Sequence, residues 1–135
     1  MELKIEAVVE NIEKVTDFVN EQLEELGCSM QMQLQVDVAL DEIFSNICNY
    51  AYDPEDVGMA AIDVVDNPED GSVEIIIRDR GIPFDPLKKE DPDVSLGVKE
   101  RAIGGLGIFM VKKMMDNIKY EYRDGANILT ITKLK

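Results

Sequence analysis

Two pairs of strand-like segments, each closed by a cluster of turn formers, constrain the fold of this chain more than any other feature. Residues 60–65 and 72–78 flank Asp66-Asn-Pro-Glu-Asp-Gly71. Val73, Ile75, Ile76 and Ile77 are β-branched, as suits a buried strand. Residues 118–122 and 127–133 flank Asp124-Gly125, a dipeptide that accepts the positive φ of a two-residue hairpin turn. Strands joined as hairpins run antiparallel. Near the N-terminus, residues 2–9 set Leu3, Ile5 and Ala7 against Lys4, Glu6 and Val8, an alternation that predicts one more short strand.

Helical spacing governs the rest. Ile12, Val15, Phe18, Val19, Leu23 and Leu26 predict a helix with Asn11 as its N-cap and Gly27 at its end. A second helix is expected from about Met30 to Tyr52. Its apolar set includes Leu34, Val36, Leu40, Ile43, Phe44 and Ile47, and Asp53-Pro54 stops it. A third opens at Gly104-Gly105-Leu106-Gly107 and runs to about Asn117. Between them, residues 80–103 show no period and carry Gly81, Pro83, Pro86, Pro92 and Gly97. So long a loop in a compact chain reads as a functional lid, at about 82–103. The order strand, two helices, two strands, lid, helix, two strands predicts an α+β two-layer sandwich. Its sheet is expected to be mixed but mostly antiparallel, with the helices on one face. At 135 residues, 1–135 is expected to form a single domain.

Composition narrows the chemistry. The chain has no histidine, so a metal site must be built from oxygen donors, which favours Mg²⁺ or Ca²⁺. A general base must then be a carboxylate. A formal net charge of −14 argues against a nucleic-acid partner, which needs a basic face. It also repels free nucleotide at long range, so a nucleotide site here must rest on backbone N–H groups, a metal ion and a few local cations. The two cysteines, Cys28 and Cys48, lie inside amphipathic patterns and read as small buried hydrophobes. Met1-Glu-Leu-Lys is not the start of a secretory leader, and no run approaches the ~18 apolar residues that span a membrane. A cytoplasmic chain without a membrane partner is expected.

Three motifs carry chemistry. On the second helix, Glu42 and Asn46 are four apart and share a face. A carboxylate there can orient or deprotonate a hydroxyl, and an amide oxygen can ligate Mg²⁺. After the apolar strand come Asp79-Arg-Gly81, where an aspartate can accept from an exocyclic amine and a glycine leaves room for a base. Gly104-Gly105-Leu106-Gly107 sets glycines at a helix start, where unpaired amides and the dipole suit a phosphate. Each has a plainer reading on its own: a solvated polar face, a turn, a hinge. From Arg80 to Arg101, across most of the lid, charge is balanced: Arg80, Lys88, Lys89, Lys99 and Arg101 against Asp85, Glu90, Asp91, Asp93 and Glu100. Lys99 and Arg101 precede the glycines and are placed to reach a terminal phosphate.

Taken in order, the E-x-x-x-N helix, D-x-G after a strand, a lid and a G-x-G helix start resemble the ATPase superfamily of gyrase, MutL and the histidine kinases (GHKL, the Bergerat fold). The short length and Asp79-Arg-Gly-Ile-Pro-Phe-Asp85 look most like its anti-sigma-factor serine/threonine kinase branch, and the resemblance covers nearly the whole chain. It implies Glu42 as catalytic base and Asn46 as Mg²⁺ ligand. The implied ATP-binding residues are Asn46, Asn49, Asp79, Gly81, Lys99, Arg101, Gly104, Gly105, Leu106 and Gly107. ATP and Mg²⁺ are the implied cofactors. A sigma factor and an anti-sigma-factor antagonist, phosphorylated on serine, are the implied partners, with a homodimer as the assembly. The same resemblance admits a non-catalytic module that binds nucleotide or a partner, and, further off, a hydrolytic ATPase or a detached histidine-kinase domain. Two positions depart from the pattern. Pro83 stands where the wider superfamily has a second glycine. Ile128 stands where many relatives carry a threonine near the adenine, with Asn127 and Thr130 as the nearby substitutes.

Overall fold

The computed structural model describes residues 2–88 and 105–135. The elements are β1 (Glu2–Glu6), α1 (Ile12–Glu25), α2 (Met30–Asn46), β2 (Met59–Asn67), β3 (Ser72–Asp79), α3 (Gly105–Met114), β4 (Asn117–Arg123) and β5 (Ala126–Leu134). The five strands form one sheet in the order β1-β2-β3-β5-β4. Every described pairing is antiparallel, so no parallel pair stands where the sequence allowed a mixed sheet. The reason lies between β1 and β2. A single crossover helix would have returned the chain parallel, whereas α1 and α2 form a helical hairpin that reverses it once more.

Alternation decides what each strand contributes. Ala60 and Ile62 of β2, Val73, Ile75 and Ile77 of β3, and Leu129 and Ile131 of β5 are buried on one sheet face. They pack against Val15, Val19 and Leu23 of α1, Val36, Leu40 and Phe44 of α2, and Val111 of α3. Burying each of the valine, leucine, isoleucine and phenylalanine side chains contributes about 1.5–3 kcal/mol. All three helices therefore lie on the same face. Helix α2 is central, touching both α1 and α3.

Element ends show where local signals held and where they gave way. Asp124 (φ 56°) and Gly125 (φ 77°) form the tight turn of the β4–β5 hairpin, with Arg123 opposite Ala126. Gly27, at φ 77°, closes α1. Asn11 does not cap α1. A 3-10 turn over Val9–Asn11 leads into the helix and gives Asn11 φ −92° and ψ 0°, whereas a cap needs extended backbone. Its amide turns back and donates to the Glu6 carbonyl at 3.0 Å. This turn also ends β1 at Glu6, short of residue 9. The cap that forms is Ser29, whose hydroxyl accepts from Met32 N at 3.1 Å and starts α2. Leu34 lies outside the apolar seam of α2: with Met30 and Val38, four residues to either side, it forms an exposed ridge. Helix α3 stops at Met114, and Asn117 already belongs to β4.

Helix α2 does not simply end. It widens into one π-helical turn, Ile47–Ala51, before Tyr52 becomes extended. This turn sits against the segment that follows β3, and it shapes the site.

Candidate functional site

At one end of the sandwich, the last turns of α2 face the ends of β3 and β5 across a narrow cavity of about 30 Å³. Ile43, Ile47, Ile77 and Leu129 make apolar walls, while Asn46, Asp79 and Asn127 supply the polar atoms. The lining is mostly apolar with one buried carboxylate among it, the composition of a site that takes an apolar group bearing a hydrogen-bond donor.

Asp79 is the final residue of β3 and is only 6% exposed. Its Oδ1 accepts from Gly81 N at 2.9 Å and from Asn127 Nδ2 at 2.9 Å. Burial pushes its carboxyl above the usual carboxylate range, and the bonds from Asn127 and Gly81 pull the other way. The flanking backbone is pinned. Ile82 N donates to the Ala51 carbonyl at 2.9 Å. The Tyr52 hydroxyl donates to Met59 O at 2.7 Å and accepts from Arg80 N at 2.8 Å. A Cβ on Gly81 would overlap the Ala51 carbonyl, so glycine is required there by contact with the π turn.

Glu42 lies half-buried on α2, one turn before the half-buried Asn46. Across from it, Gly107 stands in the first turn of α3. A Cβ there would overlap the Glu42 carboxylate. Glycine thus lets the start of α3 close onto the carboxylate. Gly105 is the first residue of α3 and Leu106 the second.

Of the residues singled out by sequence, Glu42, Asn46, Asp79, Gly81 and Gly107 converge on this end of the fold. Asn49 does not join them. It is exposed on the π turn and is not part of the cavity wall. A π turn spends more residues per turn than an α turn, so each residue advances less round the axis, and a residue three beyond Asn46 falls short of its face. Lys99, Arg101 and Gly104 lie outside the described residues, as does most of the expected lid. Its beginning is a 3-10 turn over Pro86–Lys88.

Ile128 faces away. It pairs with Arg78 and Glu121, whereas Asp79 and its partner Asn127 face the cavity. Side chains alternate along a strand, so the position beside the aspartate is Asn127, and Thr130 shares the far face with Ile128. Tyr120 and Phe84, which the sequence did not single out, also line the cavity, and Phe84 stacks on Tyr50 with ring centroids 5.5 Å apart.

The donor set bears on the metal. Among the described residues no cluster of three or more Cys, Asp or Glu side chains forms a metal cage. Asn46 offers one amide oxygen at the cavity. This fits Mg²⁺, which keeps waters and takes phosphate oxygens, better than an ion that needs an all-protein shell. Among the described residues no helix is long and apolar enough to cross a membrane.

Asp79 makes a testable case of linkage. Its carboxyl is raised in the folded chain, so the stability it contributes is fully present below the ordinary carboxylate pKa of about 4 and is lost as pH rises through the folded value. Asp79→Asn is therefore expected to melt at or above wild type at pH 7, with the difference vanishing towards pH 4. Thermal melts from pH 4 to 8 check this. A variant less stable than wild type at pH 7 would refute it.

Comparison with known proteins gives a consistent result. The family model of the histidine kinase-like ATPase domain matches residues 5–133. The serine/threonine-protein kinase BtrW of Bordetella bronchiseptica is 28% identical over 77% of this chain and 72% of its own length. The serine-protein kinase RsbW of Bacillus thuringiensis, and that of Bacillus cereus, is 33% identical over 68% of this chain. The match spans 58% of those kinases' length. A solved structure of the RsbU and RsbW domains of a Mycobacterium tuberculosis protein superposes with a TM-score of 0.64 at 18% identity. It covers 99% of this chain and 32% of the other, and shows the shared fold.

Proposed function

This chain belongs to the histidine kinase-like ATPase family, on the branch of the serine-protein kinases RsbW and BtrW, and we propose that it is a Mg-ATP-dependent serine/threonine protein kinase of the anti-sigma-factor type. The observation that carries the proposal is the convergence of Glu42 and Asn46, on one face of α2, with Asp79 across the cavity and the glycine-bearing start of α3.

Each group then has work suited to its chemistry. Asp79 accepts from the exocyclic amine of adenine, and the apolar walls receive the ring. Gly81 keeps the loop close to the π turn, so the pocket has a floor. Asn46 presents its amide oxygen to Mg²⁺. The first turn of α3, with Gly105, Leu106 and Gly107, offers unpaired amides to phosphate. Glu42 orients the serine hydroxyl of a protein substrate and takes its proton. Bound Mg-ATP supplies the transferable phosphoryl group and the charge that neutralises it. Positioning and electrostatics account for most of the rate in such transfers. Lys99, Arg101 and Gly104 are proposed as further phosphate contacts, within a lid over residues 82–103. The exposed Asn49 has no part in this proposal. The proposed partners are a sigma factor and an antagonist protein that carries the target serine, and the proposed assembly is a homodimer in the cytoplasm.

Calorimetry with Mg-ATP, followed by transfer of labelled γ-phosphate to a serine of the cognate antagonist, tests this. Binding with transfer is the expected result. Binding without transfer would make the chain a nucleotide-dependent module, and no binding would end the nucleotide reading.

A further inference from the structure

Asn127 has a side chain whose hydrogen-bonding capacity is fully used inside the protein. Its two N–H groups go to Asp79 Oδ1 at 2.9 Å and to the Ile82 carbonyl at 2.8 Å. Its oxygen accepts from Phe84 N at 3.1 Å and from the Tyr120 hydroxyl. An amide has two donors and two acceptor lone pairs, so nothing is left over for a ligand. The residue is 5% exposed, and it stands opposite Asp79 by strand register. Both described bonds to the Asp79 carboxylate arrive at Oδ1, one from Gly81 N and one from Asn127. They take up Oδ1 and leave Oδ2 as the carboxylate oxygen available to an occupant of the cavity that Asp79 lines.

We infer that Asn127 is a positioning residue for base specificity: it fixes which oxygen of Asp79 meets the ligand and locks that choice to the backbone of Ile82 and Phe84. The inference rests on the nucleotide reading of the site and deepens it. Its physical content is a rigid link. Asp79 alone could rotate about its Cβ–Cγ bond and present either oxygen. With Asn127 bonded to it and to two points of the following loop, rotation of the carboxylate breaks bonds to a buried amide. The same amide sets the height of Phe84, whose ring borders the cavity and stacks on Tyr50. Discrimination for an amine and order at the root of the loop therefore depend on one side chain. The residue acts through Asp79 and the loop, and its saturated amide excludes direct contact with a base.

Two variants and two readouts test the link. The first readout is the ratio of affinities for ATP and for purine riboside triphosphate, which lacks the 6-amino group. The second is hydrogen-exchange protection of the Phe84 amide, measured without ligand. Asn127→Leu, branched at the same carbon but larger and unable to bond, is expected to bring the affinity ratio down about tenfold and to expose the Phe84 amide to exchange. Asn127→Thr keeps one hydroxyl, enough to donate to Asp79 but too short to hold Ile82 and Phe84 as well. It is expected to keep most of the discrimination and still lose Phe84 protection, so the inference stays testable if the leucine variant does not fold. Wild-type discrimination in Asn127→Leu, or wild-type protection of Phe84 in Asn127→Thr, would overturn the inference and leave the nucleotide reading standing. No nucleotide binding by the wild-type chain would instead bring down that reading, and this inference with it.

Discussion

Glu42→Gln is expected to slow phosphoryl transfer to an antagonist serine by about 10²–10⁴-fold, the usual worth of a positioned general base, while Mg-ATP affinity stays within about twofold. Glutamine keeps the length and planarity of the side chain. The contact with Gly107 at the start of α3 is preserved, so the first turn of α3 stays where it is. What changes is the charge, and with it the basicity. Single-turnover transfer with labelled ATP, alongside calorimetry on the same variant, separates the two effects. Transfer at the wild-type rate would remove Glu42 from the chemistry. A large loss of ATP affinity would mean that its charge serves binding instead.

Gly81→Ala should be the most damaging single methyl in the described part of the molecule. The added carbon would collide with the carbonyl, carbonyl carbon and Cβ of Ala51, and two of these are backbone atoms of the π turn. Relief requires the loop to lift. That breaks the Ile82 N bond to Ala51 and strains the Gly81 N bond to Asp79. Overpacking against atoms that cannot swing aside costs about 1–3 kcal/mol, and the broken bonds bring the expected loss to the top of that range. A melting point lower by on the order of 10 °C follows, together with at least a tenfold loss of nucleotide affinity. Gly107→Ala offers the contrast. The atoms nearest its methyl belong to the end of the Glu42 side chain rather than to backbone, so stability should fall by less than about 1 kcal/mol while transfer fails. If Gly81→Ala melted like wild type, the contact between the loop and the π turn would not be the constraint described.

Much of this was legible in the residues, for reasons that differ by element. The hairpins were legible because Asp124-Gly125 can hardly serve another purpose between two β-rich runs, and both residues take positive φ. Glu42, Asn46 and Asp79 were legible because chemistry-bearing side chains stand among apolar neighbours at helical spacing or at a strand end. The phase of β5 was not. Asn127, Ile128, Leu129 and Thr130 mix apolar and polar residues on both faces, so alternation alone does not say which side is inward. Counting pairs from the tight turn at Asp124-Gly125 and placing Leu129 and Ile131 in the core would have turned Asn127 towards Asp79. The cap at Asn11 failed for another reason: a 3-10 turn over Val9–Asn11 had already committed the backbone to helical angles, and side-chain preference does not reverse that. The π turn leaves no compositional mark at all, since Ile47-Cys-Asn-Tyr-Ala51 would serve equally well as α-helix.

That turn makes the site a matter of counting. Between Asn46 and Ala51 the chain spends one residue more per turn than an α-helix spends, and the Ala51 carbonyl meets Ile82 because of it. Remove any one residue from this stretch and the hydrophobic seam upstream is untouched. Everything downstream, however, would be rotated by about 100°, one residue's share of a helical turn. A deletion here should therefore do more damage than a conservative substitution: the stretch works as a spacer whose length sets where Ala51 meets the loop after β3.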